Sequence, residues 1–267
     1  MTVSDLRDFT IFAERLADAA RSETLPRFRA GAAIDNKLSL AFDPVTDADR
    51  EAERVQREMI RAVYPKHGVI GEEFGSENSG AEWRWVLDPV DGTRAFICGV
   101  ASWTTLIALE KDRTPVVGVI DQPFTDERWI GAGGETLYRR GGATSLCRTS
   151  GLEDIAAARL STTDPRADSY FGADAAALFQ KVAARARVCR FSLDAYAYAL
   201  LARGEMDLVI ENNLKRHDFA ALAPVVEGAG GVITAWSGEP LGSDERGSAL
   251  AAASPALHAA AVELLRG

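Results

Sequence analysis

Four β-type runs follow one another between residues 83 and 132: WRWVL (83–87), TTLIALE (104–110), PVVGVID (115–121) and ERWIGA (127–132). Each is short and rich in branched and aromatic residues, and KDRTP between the second and third has the length of a hairpin loop. Hairpin spacing joins antiparallel neighbours, because a parallel pair needs a long crossover. Two helices precede these strands. Phe9, Phe12, Leu16 and Ala19 or Ala20 share one face over 4–21. A second helix starts at TDADREAERVQREMIRAV, where Ala52, Val55, Met59 and Val63 repeat at three and four. Thr46 followed by Asp49 fits a capping box there. After GGETLYRRGGATSLCRTS (133–150), rich in Gly, Ser and Thr, strands and helices alternate instead. Strands are expected near 158–162, near 187–191, at MDLVIE, GVITAW and SALAAA. Helices are expected over 173–185, 194–203 and 217–228, with a last one ending at Leu265. The chain therefore reads as α+β, with an antiparallel sheet in the first half and a mixed sheet in the second. Residues 1–140 and 141–267 form the expected subdomains.

With 267 residues, 47% of them hydrophobic, the chain can bury a sizeable core. It contains no apolar stretch of the roughly 18 residues that a membrane span requires, and MTVSDLRD lacks the order of a signal peptide. A cytoplasmic protein without a membrane partner is expected. Cys98, Cys147 and Cys189 are widely spaced with no CxxC, which fits reduced core cysteines rather than disulfides or zinc. A formal charge of −9 without a basic cluster argues against a nucleic-acid partner. An anionic substrate would need help from bound cations.

Where such cations could bind is suggested by VLDPVDGTRAFIC (86–98). Asp before Pro and Asp before Gly are ordinary turn chemistry, and the segment alone requires nothing more. Its setting adds a second reading. An apolar strand runs into Asp88 and Asp91, and GTRAFI then starts a helix. Two carboxylates so close together suit a hard divalent cation, while Gly92 lets a phosphate approach the backbone. Other acidic positions also have local explanations: Glu72 and Glu73 in VIGEEFG as a solvated loop pair, Asp218 as a residue of a helical first turn, and Asp49 as the closing residue of the capping box. No EF-hand loop is present, so a purely calcium-binding role lacks its motif.

Taken in order, VTDADREAE (45–53), GEE (71–73), LDPVDGTRAF (87–96) and HDFAALAPVVEGAGG (217–231) resemble the inositol monophosphatase superfamily over nearly the whole chain. The resemblance implies a layered α/β/α/β/α sandwich and a metal-dependent phosphomonoesterase acting on a small phosphate ester, in a family where homodimers are common. It implies two or three Mg2+ ions held by Glu72, Asp88, the Val90 carbonyl, Asp91 and Asp218. Thr93 and Asp49 match the pair that orients the attacking water and accepts its proton. The phosphate would meet Gly92 and Thr93 among Glu72, Asp91 and Asp218. Substrate contacts fall at Ser192, Asp194 and Glu211, and FSLDAYAYALLA resembles the histidinol-phosphate phosphatase branch, which implies histidine biosynthesis. An acidic pair suits a cationic amine; Asp194 could equally cap the following helix. Ala101 and His217 depart from the family pattern. His67 and His217 read as surface or supporting imidazoles, because no second His or Cys lies at ligand spacing. The Trp and Phe residues read as core.

Overall fold

The computed structural model describes residues 3–30, 34–36, 44–242 and 246–266. Helix α1 (Val3–Thr24) is followed by a small antiparallel pair, β1 (Ile34–Asn36) and β2 (Pro44–Thr46), and then by α2 (Asp47–Val63). The first large sheet takes β3 (Gly68–Gly71), β4 (Gly75–Glu77), β5 (Trp83–Asp91), β6 (Thr104–Lys111), β7 (Thr114–Gln122), β8 (Glu127–Ala132), β9 (Glu135–Arg140) and β10 (Ala143–Leu146). A five-residue helix, α3 (Thr93–Ile97), leaves the end of β5. The sheet order is β10-β9-β8-β7-β6-β5-β3-β4, antiparallel except where β3 runs parallel to β5.

The second sheet holds β11 (Arg159–Thr162), β12 (Val188–Phe191), β13 (Leu208–Lys215), β14 (Val232–Thr234) and β15 (Arg246–Ala252), in the order β12-β11-β13-β15-β14. It is mixed: β11 is parallel to both neighbours and β15 antiparallel to both of its own. Helices α4 (Gly172–Ala183), α5 (Tyr196–Ala202), α6 (Arg216–Phe219), α7 (Leu222–Gly228) and α8 (Pro255–Leu265) complete the chain. The expected helix over 217–228 is two pieces, α6 and α7. The Gly-, Ser- and Thr-rich stretch contains β9 and β10, so the chain leaves the first sheet after Leu146. Among the described residues, no helix is long and apolar enough to cross a membrane.

Strand alternation builds the layers. Trp85, Leu87, Ile107, Leu109, Val117 and Val119 pack with Phe12 and Leu16 of α1 and Ile60 of α2. Their neighbours Val86, Leu106, Ala108 and Ile120 point the other way, onto Ala199 and Leu201 of α5 and Val225 and Val226 of α7. Val209 and Ala251 close that layer from the second sheet, while Leu208, Ile210 and Leu250 face Phe179 of α4 and Leu257 of α8. Strands covered on both faces read as continuous apolar runs, which is the pattern seen. The result is the expected α/β/α/β/α sandwich. Helix α7 lies so close to the first sheet that a Cβ on Gly118 would stand 2.2 Å from Ala221 O, and one on Gly131 2.2 Å from Pro224 O.

Candidate active site

Asp88 and Asp91 lie in β5, and in a regular strand residues three apart point to opposite faces. The pairing with β6 solves this. Asp88 pairs with Leu106 but Asp91 with Thr104, so β5 uses three steps where β6 uses two. The bulge inserts one residue and returns both aspartates to the same side. The motif is therefore a bulged strand end followed by a turn at Gly92, whose φ of 80° is the left-handed region that favours glycine.

Glu72 arrives from the parallel neighbour. Gly71 pairs with Leu87, and the Glu72 N–H donates to Leu87 O at 3.2 Å, bringing Glu72 beside Asp88. Asp218 comes from the second sheet. It sits in α6, with Oδ2 accepting the Lys215 N–H at 2.7 Å, and Oδ1 lies 3.4 Å from His217 Nε2. Arg216, just before it, donates to Glu110 of β6 at 2.6 Å and to the carbonyls of Gly242 and Arg113, both at 2.8 Å. These bonds fasten α6 to the first sheet.

Ligand oxygens of Asp88, Asp91 and Asp218 all lie within 4.8 Å of one another. Burial drives the Asp88 carboxyl well above the usual carboxylate range, and the charges of Glu72, Asp91 and Asp218 push it further. Burial and then Asp194 do the same to Asp91, partly opposed by the Ala195 N–H that reaches Asp91 Oδ2 at 2.7 Å. Asp218 is also raised by burial, with His217 opposing and Glu72 adding. Asp88 Oδ1 is buried with no hydrogen-bond partner. Mutually repelling carboxylates around an unpartnered oxygen are stable together only with protons or cations between them. The donor set is all oxygen, which suits Mg2+.

Thr93 and Asp49 meet beside this cluster. Asp49 Oδ2 accepts the Thr46 N–H at 2.9 Å and the Thr46 hydroxyl at 2.6 Å, closing the capping box. Its other oxygen, Oδ1, lies 3.4 Å from Thr93 Oγ1, which is 3.1 Å from Val90 O. The two readings of Asp49 therefore coexist, one on each oxygen.

The three expected substrate positions meet at Thr163. Asp194 does not cap α5, whose first turn has no side-chain cap. Its carboxylate lies over Gly92 instead, where a Cβ would stand 2.9 Å from Asp194 Oδ2. Burial lifts it to about 6, opposed by Arg94 and a Thr163 hydrogen bond. Glu211 is buried and accepts the Thr163 N–H at 2.7 Å, the Thr163 hydroxyl at 2.9 Å and the Thr162 hydroxyl at 3.3 Å. Its carboxyl is pushed up to about 8 by burial. Ser192 meets the same two threonines through its backbone: its N–H donates to Thr162 O and Thr163 O, and its carbonyl accepts from Ser102.

Sequence reasoning missed Arg94 and Tyr170. Arg94 lies 4.9 Å from the Tyr170 ring centre and acts electrostatically on Asp194, so a protein cation does stand near the cleft. Arg94 was visible within GTRAF; nothing near Tyr170 marked it. His67 accepts from Trp85 Nε1 at 3.2 Å and stacks on Tyr64, a packing role.

A family model described as the inositol monophosphatase family matches residues 5–267. The chain is 40% identical over 238 residues to an Arabidopsis thaliana protein named bifunctional phosphatase IMPL2, chloroplastic, covering 88% of this chain and 66% of that protein. It is 36% identical over 230 residues to a histidinol-phosphatase of Mycobacterium tuberculosis, covering 84% and 86%. A solved inositol monophosphatase structure from Zymomonas mobilis superposes with a TM-score of 0.87 at 39% identity, covering both chains fully.

Proposed function

Since the chain belongs to the inositol monophosphatase family and is a phosphatase of that family, we propose that it is a Mg2+-dependent phosphomonoesterase converting L-histidinol phosphate to L-histidinol and phosphate. The observation that carries the reading is the convergence of Asp88, Asp91 and Asp218 on one point beside the Thr93–Asp49 pair. Two or three Mg2+ ions held by Glu72, Asp88, the Val90 carbonyl, Asp91 and Asp218 would supply charge neutralisation and Lewis acidity.

The chain's own residues do the rest. Thr93 has one hydroxyl proton and two acceptors, Val90 O and Asp49 Oδ1. A water held by Thr93 for attack on phosphorus passes its proton towards Asp49, whose Oδ2 is already fixed by Thr46. The N–H groups of Gly92 and Thr93, at the start of α3, lack helical acceptors and are the proposed phosphate cradle. Asp194, with its carboxyl near 6, is the anion available to an ammonium group at neutral pH. Glu211, near 8, becomes one when a cation arrives.

The names of relatives support the histidinol ester, since proteins called histidinol-phosphatase match at 32–36% identity. With this reading go a cytoplasmic homodimer and a place in histidine biosynthesis. Arg94 beside Asp194 favours a second reading, myo-inositol 1-phosphate, because a guanidinium already answering Asp194 lessens the need for a cationic substrate. The deciding experiment compares kcat/KM for the two esters, with Mg2+ and after chelation. At least roughly tenfold preference for the histidinol ester is expected from one charge-assisted contact. Equal or reversed preference would promote the inositol reading, and full activity after chelation would remove the metal.

A further inference from the structure

One turn after Asp49 on α2 stands Glu53, fully buried, and its carboxylate is committed to the backbone that follows Glu72. Oε2 accepts the Glu73 N–H at 2.7 Å, and Oε1 accepts the Phe74 N–H at 3.1 Å. Arg57, one turn further, donates to Glu53 Oε1 at 2.7 Å and also reaches the Gly75 carbonyl. On the other side of Glu72, its own N–H is paired to β5 through Leu87. Glu72 is thus gripped from both directions. The fit is close enough to dictate Gly71, where a Cβ would stand 2.0 Å from Glu53 Oε1 and 2.7 Å from an Arg57 nitrogen.

A buried ion pair is a poor device for stability alone, because desolvating two charges offsets most of their attraction. Two apolar side chains would pack α2 against this turn equally well. They would not accept two successive backbone N–H groups, and that is what Glu53 does. We propose that Glu53 is a positioning residue for metal binding: it fixes the turn at residues 72–75 so that the Glu72 carboxylate faces Asp88. It joins that carboxylate through one face of α2 to Asp49, one turn away. The proposal rests on the reading of Glu72 as a metal ligand.

The test is direct Mn2+ binding to metal-free protein, followed by electron paramagnetic resonance, with the Mg2+ dependence of activity and thermal unfolding measured alongside. Glu53→Gln keeps the shape but puts an amide nitrogen against donors. Glu53→Asp keeps the charge but is too short to reach both amides, and it serves if the Gln variant does not fold. Supporting partners of metal ligands are worth roughly 10- to 100-fold in metal affinity, so Mn2+ binding should weaken by about tenfold or more, with the Mg2+ requirement rising in parallel. At saturating Mg2+, kcat should return to within about threefold of the parent, as expected for a lost affinity rather than a lost chemical step. Glu77→Gln, which alters only the exposed partner of Arg57 and Arg61, should bind Mn2+ like the parent. Parent-like Mn2+ binding by a folded Glu53 variant would overturn the inference while leaving the phosphatase reading intact. So would a kcat that stays low at saturating metal with affinity unchanged. A parent protein that binds no Mn2+ would overturn the metal assignment of Glu72, and this inference with it.

Discussion

Replacing Glu211 by Gln should stabilise the metal-free protein above neutral pH and leave it nearly unchanged near pH 5. Glu211 is 4% exposed, and burial lifts its carboxyl from an ordinary 4.5 to about 8. Between those values the unfolded chain has released this proton and the folded chain has kept it. The unfolded state then binds fewer protons, so stability falls as pH rises through the window. A gap of about 3.5 units at 1.36 kcal/mol each sets the full cost at roughly 5 kcal/mol. The Gln side chain avoids this cost, because its amide oxygen can still accept from Thr163 while its NH2 group faces Thr162. The assay is guanidinium unfolding in the presence of chelator from pH 5 to 9, comparing parent and variant at each pH. Asp88, Asp91 and Asp218 are raised too and tilt both curves alike, so the difference between the curves isolates Glu211. Parallel curves would refute the reasoning, and a variant less stable than the parent at pH 9 would reverse it.

Asp91→Asn should lose at least ~100-fold in activity yet unfold no earlier than the parent in chelator, since it removes a charge that the empty cluster repels; parent-like turnover would remove Asp91 from the metal ligands. Thr93→Ala and Asp49→Asn should each lower kcat by ~100- to 10,000-fold with a much smaller change in KM. If Asp49→Asn instead loses helix stability and keeps kcat, only its capping oxygen matters. Asp194→Ala should reduce the preference for histidinol phosphate over inositol 1-phosphate by roughly tenfold, read from the two kcat/KM values. An unchanged ratio would mean that Asp194 does not meet the amine.

Much of this site is legible because its residues lie in local patterns: strand into Asp88 and Asp91, a glycine turn, a capping box at Asp49. Apolar runs mark nearly every central strand, because those strands are covered on both faces, while the stacking of the layers is legible only through the family resemblance. What escapes is whatever depends on partners distant in sequence. ETLYRR and ATSL read as linker because they carry little apolar signal: β10 is an edge strand with every residue exposed, and its neighbour β9 buries only Thr136 and Tyr138. The bulge at Asp88 and Asp91 is invisible without the register of β6, so the pair reads as a turn when it is a strand end. α6 and α7 read as one helix, although their separation lets Arg216 and Asp218 turn towards the first sheet. Glu53 looks like one more charge on an amphipathic helix, and only the packed loop shows that the charge is turned inward.

The same dependence explains how a cluster of like charges is held before any cation arrives. Two carboxylate oxygens no more than 4.8 Å apart repel by at least roughly 3 kcal/mol at an effective dielectric near 20. Asp218 is the member best able to escape, because it sits on the short helix α6 that follows the second sheet's β13, while Asp88 and Asp91 are locked into β5. What opposes its escape is the residue two positions earlier. Arg216 is bound to Glu110, which is fully buried in β6 and also bonded to Arg84, and it holds two backbone carbonyls besides. Breaking one partner of a buried charge pair typically costs about 3 to 5 kcal/mol, the same order as the repulsion. Folding can therefore assemble the acidic cluster without cations, at the expense of raised carboxyl protonation. The cost of concentrating negative charge at the seam is met by a positive network placed just behind it.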